Sequence, residues 1–171
     1  MSPLALDSRR LSLRPVQAPD CPGLLQVFRD AGVRRFLLDD QRVSREWVDQ
    51  EIASSEQLFA RCGTGLWAIR KQGQDAIAGF SGFREFFEPP RLQLLYGLLP
   101  TYWGQGLALE AARLVCDHAF GALGFTRIEA AMDTPNTASQ QLARRLGMTP
   151  MRTPSGLASD TLFFEMFAPA Q

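Results

Sequence analysis

RLQLLYGLLPTYWGQGLALEAARLVCDHAFGAL, residues Arg91–Leu123, decides the reading of the whole chain. Leu92 to Leu99 is an apolar run interrupted at Gln93 and Tyr96, the pattern of a strand covered on both faces. Pro100 ends it, because proline has no N–H to donate to a ladder. A short turn follows from Thr101 to Gly106. Leu107, Ala108, Ala111, Leu114 and Val115 then recur at helical spacing among good helix formers. The expected unit is strand, glycine turn, helix. Such a turn leaves the first helical N–H groups without partners, and the helix dipole adds a positive potential there. That suits a phosphate or pyrophosphate, and Gly104 and Gly106 let backbone approach it without a Cβ in the way. The plain alternative is a tight turn with no ligand. Two known phosphate patterns are absent: there is no G-x-x-x-x-G-K-[ST], and the third glycine of G-x-G-x-x-G is replaced by Leu109.

Met1–Ser8 is expected to be a flexible tail ahead of one domain over residues 9–168. Arg10–Val16 reads as a first strand. Asp20 and Pro22 open a helix that Gly32 ends. Val33–Val43 is irregular. Ser44 caps a second, amphipathic helix. Leu66–Arg70 and Ala76–Phe86 are strands around a polar turn, and Gly79 and Gly82 mark a bulge or a close approach in the second. Beyond the central unit, Arg127–Met132 is a strand. Ala138–Leu146 is a helix that Thr137 could cap, and Met148–Arg152 and Leu162–Phe167 form a terminal hairpin around the loop Thr153–Asp160. Strands alternating with helices and ending in a hairpin give a mixed α/β sheet with helices on its faces.

At 171 residues the chain can hide roughly 70% of its unfolded surface and needs no staples. Lys plus Arg and Asp plus Glu are 18 each, with no long basic run, so nucleic acid is not an expected partner. Cys21, Cys62 and Cys116 are odd in number and far apart, which fits free thiols and a cytoplasmic location. No stretch has the length of a membrane span or the form of a leader. The single histidine, His118, lies in an apolar helix, and no cysteine pair has ligand spacing, so no metal site is expected. No G-x-S-x-G is present, and a metal-free hydrolase ranks last.

Three stretches resemble one known family in order and spacing. They are LLPTYWGQGLALEAARLVCDHAF (Leu98–Phe120), LSLRPVQAPD (Leu11–Asp20) and RIEAAMDTPNTASQQLARRLGM (Arg127–Met148). The family is the GCN5-related N-acetyltransferases (GNAT), and the likeness is nearest to the branch that acetylates ribosomal-protein N-termini. The resemblance implies a GNAT-like fold: a mixed, mostly antiparallel twisted sheet of about six to seven strands, splayed at the central strand, with about four flanking helices. It implies acetyl-CoA as the acyl donor. The family's Gln/Arg-x-x-Gly-x-Gly/Ala falls on Trp103, Gly104, Gln105, Gly106, Leu107 and Ala108, which would hold the pyrophosphate. The backbone of Leu98 and Leu99 would hold the pantetheine arm and supply an oxyanion donor. Asn136 would contact the arm, and Ser139 would lie near the sulfur. Their plainer roles are turn formation and a helix-surface hydroxyl.

The base is less defined. Many relatives carry a glutamate on the central strand where this chain has Gln93, and an amide cannot take a proton. Glu85, with Glu88 behind it, is the substitute from sequence, a water chain being another route. The late-strand tyrosine of many relatives is missing, since that region gives Phe163 and Phe164; Ser139 or a water would then protonate the thiolate. Phe36, Asp39 and Asp40 on one side and Phe86 and Phe87 on the other would line the acceptor groove, the carboxylates attracting a cationic amine. The plainer reading of those carboxylates is solvated surface. The expected function is acetyl transfer to a primary amine, a protein α-amine among them. The alternatives are a small amine such as an antibiotic or polyamine, and a CoA-binding module without turnover. A homodimer is the default assembly.

Overall fold

The computed structural model describes residues 4–158 and 160–171. Eight strands form one open sheet in the order β1-β2-β3-β4-β5-β6-β8-β7. They are β1 (Leu6–Asp7), β2 (Leu11–Pro15), β3 (Leu66–Lys71), β4 (Gly79–Phe86), β5 (Arg91–Leu98), β6 (Arg127–Asp133), β7 (Thr149–Met151) and β8 (Thr161–Phe167). The five α-helices among the described residues are α1 (Cys21–Arg29), α2 (Ala31–Leu37), α3 (Arg45–Cys62), α4 (Leu107–Gly121) and α5 (Thr137–Leu146). None is long and apolar enough to cross a membrane.

Alternation along β3 divides the core. Trp67 and Ile69 pack with Ala111, Val115 and Ala119 of α4. Leu66 and Ala68 point the other way, to Val27 and Phe28 of α1 and Val48 and Ile52 of α3. Phe28 stacks on Phe80 at 4.9 Å and meets Trp47 edge-on at 5.3 Å, which ties both helices to β4. A cluster of such buried aromatic and aliphatic side chains contributes roughly 1.5–3 kcal/mol each.

Every strand pair is antiparallel except β5–β6. β4 and β5 stay paired from Gly79↔Leu98 to Phe86↔Arg91. β5 and β6 run parallel and meet only at Gln93↔Glu129, then diverge. The expected splay at the central strand is therefore a wedge, closed near Gln93 and open towards Leu98 and Asp133.

Three expectations change. Part of the tail is ordered: β1 pairs with β2, and the Ser8 N–H donates to the Leu11 carbonyl at 2.9 Å; Met1–Pro3 lie outside the described residues. Gly32 does not end the first helix. Asp30 does, with extended backbone, and its carboxylate accepts the N–H groups of Gly32 and Val33 to start α2 inside the segment expected to be irregular. The cap of α5 is Asn136, one residue before the expected Thr137. In the terminal hairpin, the loop Thr153–Asp160 joins β7 to β8, and its Ser159 is outside the described residues.

Candidate active site

The glycine turn stands at the wide end of the wedge. A 3-10 turn, Pro100–Tyr102, leads from β5 to Trp103, whose indole N–H donates to the Leu98 carbonyl at 2.8 Å. The Trp103 ring lies over Gly32, where a Cβ would come within 2.7 Å of it, so α2 is seated against the turn. Gly104 (φ 73) and Gly106 (φ 76) hold left-handed backbone, and no side chain caps α4. A Cβ at Gly104 would meet nothing within 4 Å. The first-turn amides of α4 therefore keep their unmatched donors beside open space, and a pyrophosphate fits that cradle. Glu110 sits in this first turn, though the turn itself is free of acid, and its carboxylate is engaged by Ser8 and Arg10. Burial acts to raise its pKa, but those hydrogen bonds and the Arg10 charge hold it below the ordinary carboxylate range.

Leu98 and Leu99 behave differently. The Leu99 N–H donates to the Ala78 carbonyl at 2.9 Å, and its own carbonyl accepts from Tyr102 at 2.9 Å. Both groups are used, which removes Leu99 as an arm-holding donor. Backbone direction alternates along a strand, so Leu98 faces the wedge. Across the wedge the Tyr96 hydroxyl donates to the Ser139 carbonyl at 3.1 Å, linking β5 to α5. Burial pushes the Tyr96 phenol up to about 12. Asn136 is first a helix cap: its side-chain oxygen accepts the Ser139 N–H at 3.2 Å, leaving only its amide NH₂ for an arm.

On the face opposite α4 the closed end is polar. Glu129, 8% exposed, accepts from Arg91 (2.6 and 3.1 Å), from the Gln93 amide (3.0 Å) and from Arg127 (2.6 Å). Burial acts against its charge, yet these partners keep its pKa low. A carboxylate only accepts, so Gln93 must present its NH₂ to Glu129. The Gln93 Oε1 is then buried without a partner.

Glu85 stands opposite Leu92, at the closed end and away from the glycine turn. It is exposed, pairs with Arg61 at 3.0 Å, and lines a small pocket against α3 with Glu51, Ser54 and Arg84. Its neighbour Glu88 is exposed as well. Phe86 lies under the Arg84 guanidinium at 4.4 Å, and Phe87 reaches Phe163 on β8 at 5.5 Å. Of the acceptor residues read from sequence, Asp40 is held by Arg34 at 3.0 Å, and Phe36 packs under the Arg35 guanidinium at 4.9 Å. Asp39 is exposed and acts on a residue sequence reasoning missed, Asp133. Ile128, Ala130 and Met132 of β6 point into the α4-side core, so Asp133 at the wide end points to the other face. Burial raises its pKa, helped by the charges of Asp39 and Asp160. Arg10, Tyr96 and Glu129 were missed as well, because each matters through a partner far along the chain. Among the described residues no His, Cys, Asp and Glu grouping could hold a metal ion. His118 packs edge-on against Trp67 at 5.6 Å.

The profile of a family described as "Acetyltransferase (GNAT) domain" matches residues 10–149. An uncharacterized N-acetyltransferase of Bacillus subtilis, YoaA, is 27% identical over 143 residues, which cover 83% of this chain and 81% of that protein. The crystal structure of an acetyltransferase from Agrobacterium tumefaciens superposes with a TM-score of 0.84 at 21% identity, covering 97% of this chain and 95% of that one. A structure of RimL, described as a ribosomal L7/L12 alpha-N-protein acetyltransferase in complex with coenzyme A, superposes at 0.79. It is 20% identical, over 96% of this chain and 98% of that one.

Proposed function

The chain belongs to the GNAT acetyltransferase family, and on that premise we propose that it transfers an acetyl group from acetyl-CoA to a primary amine, with a protein N-terminal α-amine as the preferred acceptor. The observation that carries this reading is the wedge between β5 and β6 with the uncapped head of α4 at its open end. The acceptor preference leans on the likeness to RimL.

Acetyl-CoA supplies an activated thioester; the residues of this chain position it and manage a proton. The amides from Gln105 to Ala108 would hold the pyrophosphate, with Trp103 and Gly104 shaping the turn. The Leu98 N–H, facing the wedge, would polarise the acyl oxygen, its carbonyl being held by the Trp103 indole. The free NH₂ of Asn136 would reach the arm, and Ser139 would stand near the sulfur. An α-amine has a pKa near 8 and is partly neutral at pH 7.5, so its base need not be strong. Asp133 takes that role from Glu85: it faces the acceptor side at the wide end, and its raised pKa brings it nearer to an amine. Asp39 and Asp160 add negative charge around it, and Phe87, packed on Phe163, gives the groove an apolar side. The three cysteines are unpaired, as in a reducing, cytoplasmic setting.

A second reading, a small polycationic amine as acceptor, is favoured by the carboxylates Asp39, Asp133 and Asp160 at the mouth. Both are tested by free-thiol release from acetyl-CoA with peptides bearing free or blocked N-termini, a polyamine and an amino-sugar. Release with free but not blocked peptides supports the first reading. Release with the polyamine alone supports the second. No release with any amine removes both and leaves a CoA-binding module.

A further inference from the structure

The head of α4 carries a contradiction. A cradle for a doubly charged group has a glutamate in its first helical turn, where a negative charge opposes the very ligand the amides attract. The turn between β1 and β2 resolves it. Arg10 donates through Nε to one Glu110 oxygen at 2.7 Å and closes a second bond to the same oxygen through Nη2. The Ser8 hydroxyl donates to the other oxygen. Arg10 has a third bond, from Nη1 to the Gln105 carbonyl at 2.8 Å. In a trans peptide the carbonyl and the following N–H point in opposite directions. Holding the Gln105 carbonyl towards Arg10 therefore aims the Gly106 N–H away from Arg10.

We propose that Arg10 is a positioning residue for the cofactor pyrophosphate, cancelling the Glu110 charge and fixing the Gln105–Gly106 peptide so that its amide faces the cradle. This rests on the acetyl-CoA reading above. It makes the amino-terminal hairpin part of the cofactor site, although Arg10 lies 100 residues from its carboxylate partner. Ser8 is held in place from both sides: its hydroxyl accepts the Leu11 N–H at 3.0 Å, and its carbonyl accepts from Gln72 at 3.1 Å. The arginine is thus presented from a braced turn.

The test is calorimetric titration of coenzyme A into wild type, Arg10→Ala, Glu110→Gln and the double variant, at low and moderate salt. R10A should bind at least tenfold more weakly than wild type, because it exposes a bare carboxylate and frees the peptide. E110Q should bind as tightly as wild type or more tightly. The double variant should recover the part of the R10A loss owed to the bare carboxylate and keep the part owed to the freed peptide, whereas a general loosening of the hairpin would leave the whole loss in place. The R10A deficit should also shrink as salt rises. Equal affinity in R10A and wild type overturns the proposal, and so does an R10A loss that E110Q leaves in place. Absence of coenzyme A binding in wild type instead overturns the cofactor reading beneath it.

Discussion

Gly106 combines two constraints in one backbone position. It ends the turn in the left-handed region, which a branched residue adopts only under strain, and a Cβ there would lie 3.6 Å from the Arg10 guanidinium. Gly106→Val should lose coenzyme A binding in calorimetry, and its melting temperature should fall by the equivalent of about 1–3 kcal/mol, the cost of a branched residue in that conformation. Full coenzyme A affinity in G106V would contradict the cradle assignment. Asp133 makes a prediction in pH. Its folded pKa is raised, by burial first and by Asp39 and Asp160 next. Between the ordinary and the raised value the folded chain holds a proton that the unfolded chain has lost, so this group's contribution to stability falls as pH rises through that window. Asp133→Asn should therefore melt above wild type at pH 7, and the two should converge in acid below the carboxylate range. At this scale the glycine turn was legible, because its backbone is set by its immediate neighbours, whereas the cap of α5 was read one residue late, at Thr137 instead of Asn136. The ion pair of Glu85 with Arg61 on α3 was not legible, because it is set by tertiary packing and nothing in strand order shows it.

Elements were legible where periodicity is strong and local. The strand–turn–helix from Arg91 to Gly121 fell where its pattern put it, while α2 escaped because Gly32, read as a stop, sits just inside a helix that Asp30 begins. β1, two residues long, has no pattern to read and exists through its pairing with β2. The junction of β5 and β6 was legible only as a family expectation, and its closed end is secured by chemistry no spacing reveals. Glu129 gathers Arg91 from β5 and Arg127 from β6, and Arg127 also pairs with Glu165 on β8 at 2.6 Å. Glu129 is the buried member and its arginines are about a third exposed, so water reaches them once it is removed and the cost is about 1–3 kcal/mol. Glu129→Ala should lower stability by that order in urea denaturation at pH 7. The folded pKa of Glu129 is lowered despite the opposing effect of burial, so its contribution is present above the ordinary carboxylate pKa and lost as pH falls through the folded value. The gap between E129A and wild type should close in acid; a gap independent of pH would assign the loss to packing.

For the molecule as a whole, balanced totals of 18 basic and 18 acidic residues conceal an uneven surface. Arg34 offsets Asp40, whereas Asp39, Asp133 and Asp160 have no ion-pair partner among the described residues. On the proposed function, a cationic acceptor approaching the wide end would meet these three carboxylates, whose field would steer encounter and fade with salt. Asp39→Asn combined with Asp160→Asn should raise KM for cationic peptides several-fold at low salt, with kcat nearly kept. Added salt should shrink the difference, and a peptide with no other positive charge should show less of it. Unchanged KM in the double variant would return these carboxylates to the solvated surface.

The wedge has a consequence for self-association. A seam inside a sheet is a pair of edges, and exposed edges invite strands from other chains. Here the two edges diverge from Gln93↔Glu129, so no single foreign strand can pair with both along its length. Tyr96, reaching Ser139 on α5, spans the gap from one side. The protein therefore keeps an unpaired seam in the middle of its sheet without offering a flat template for fibre growth.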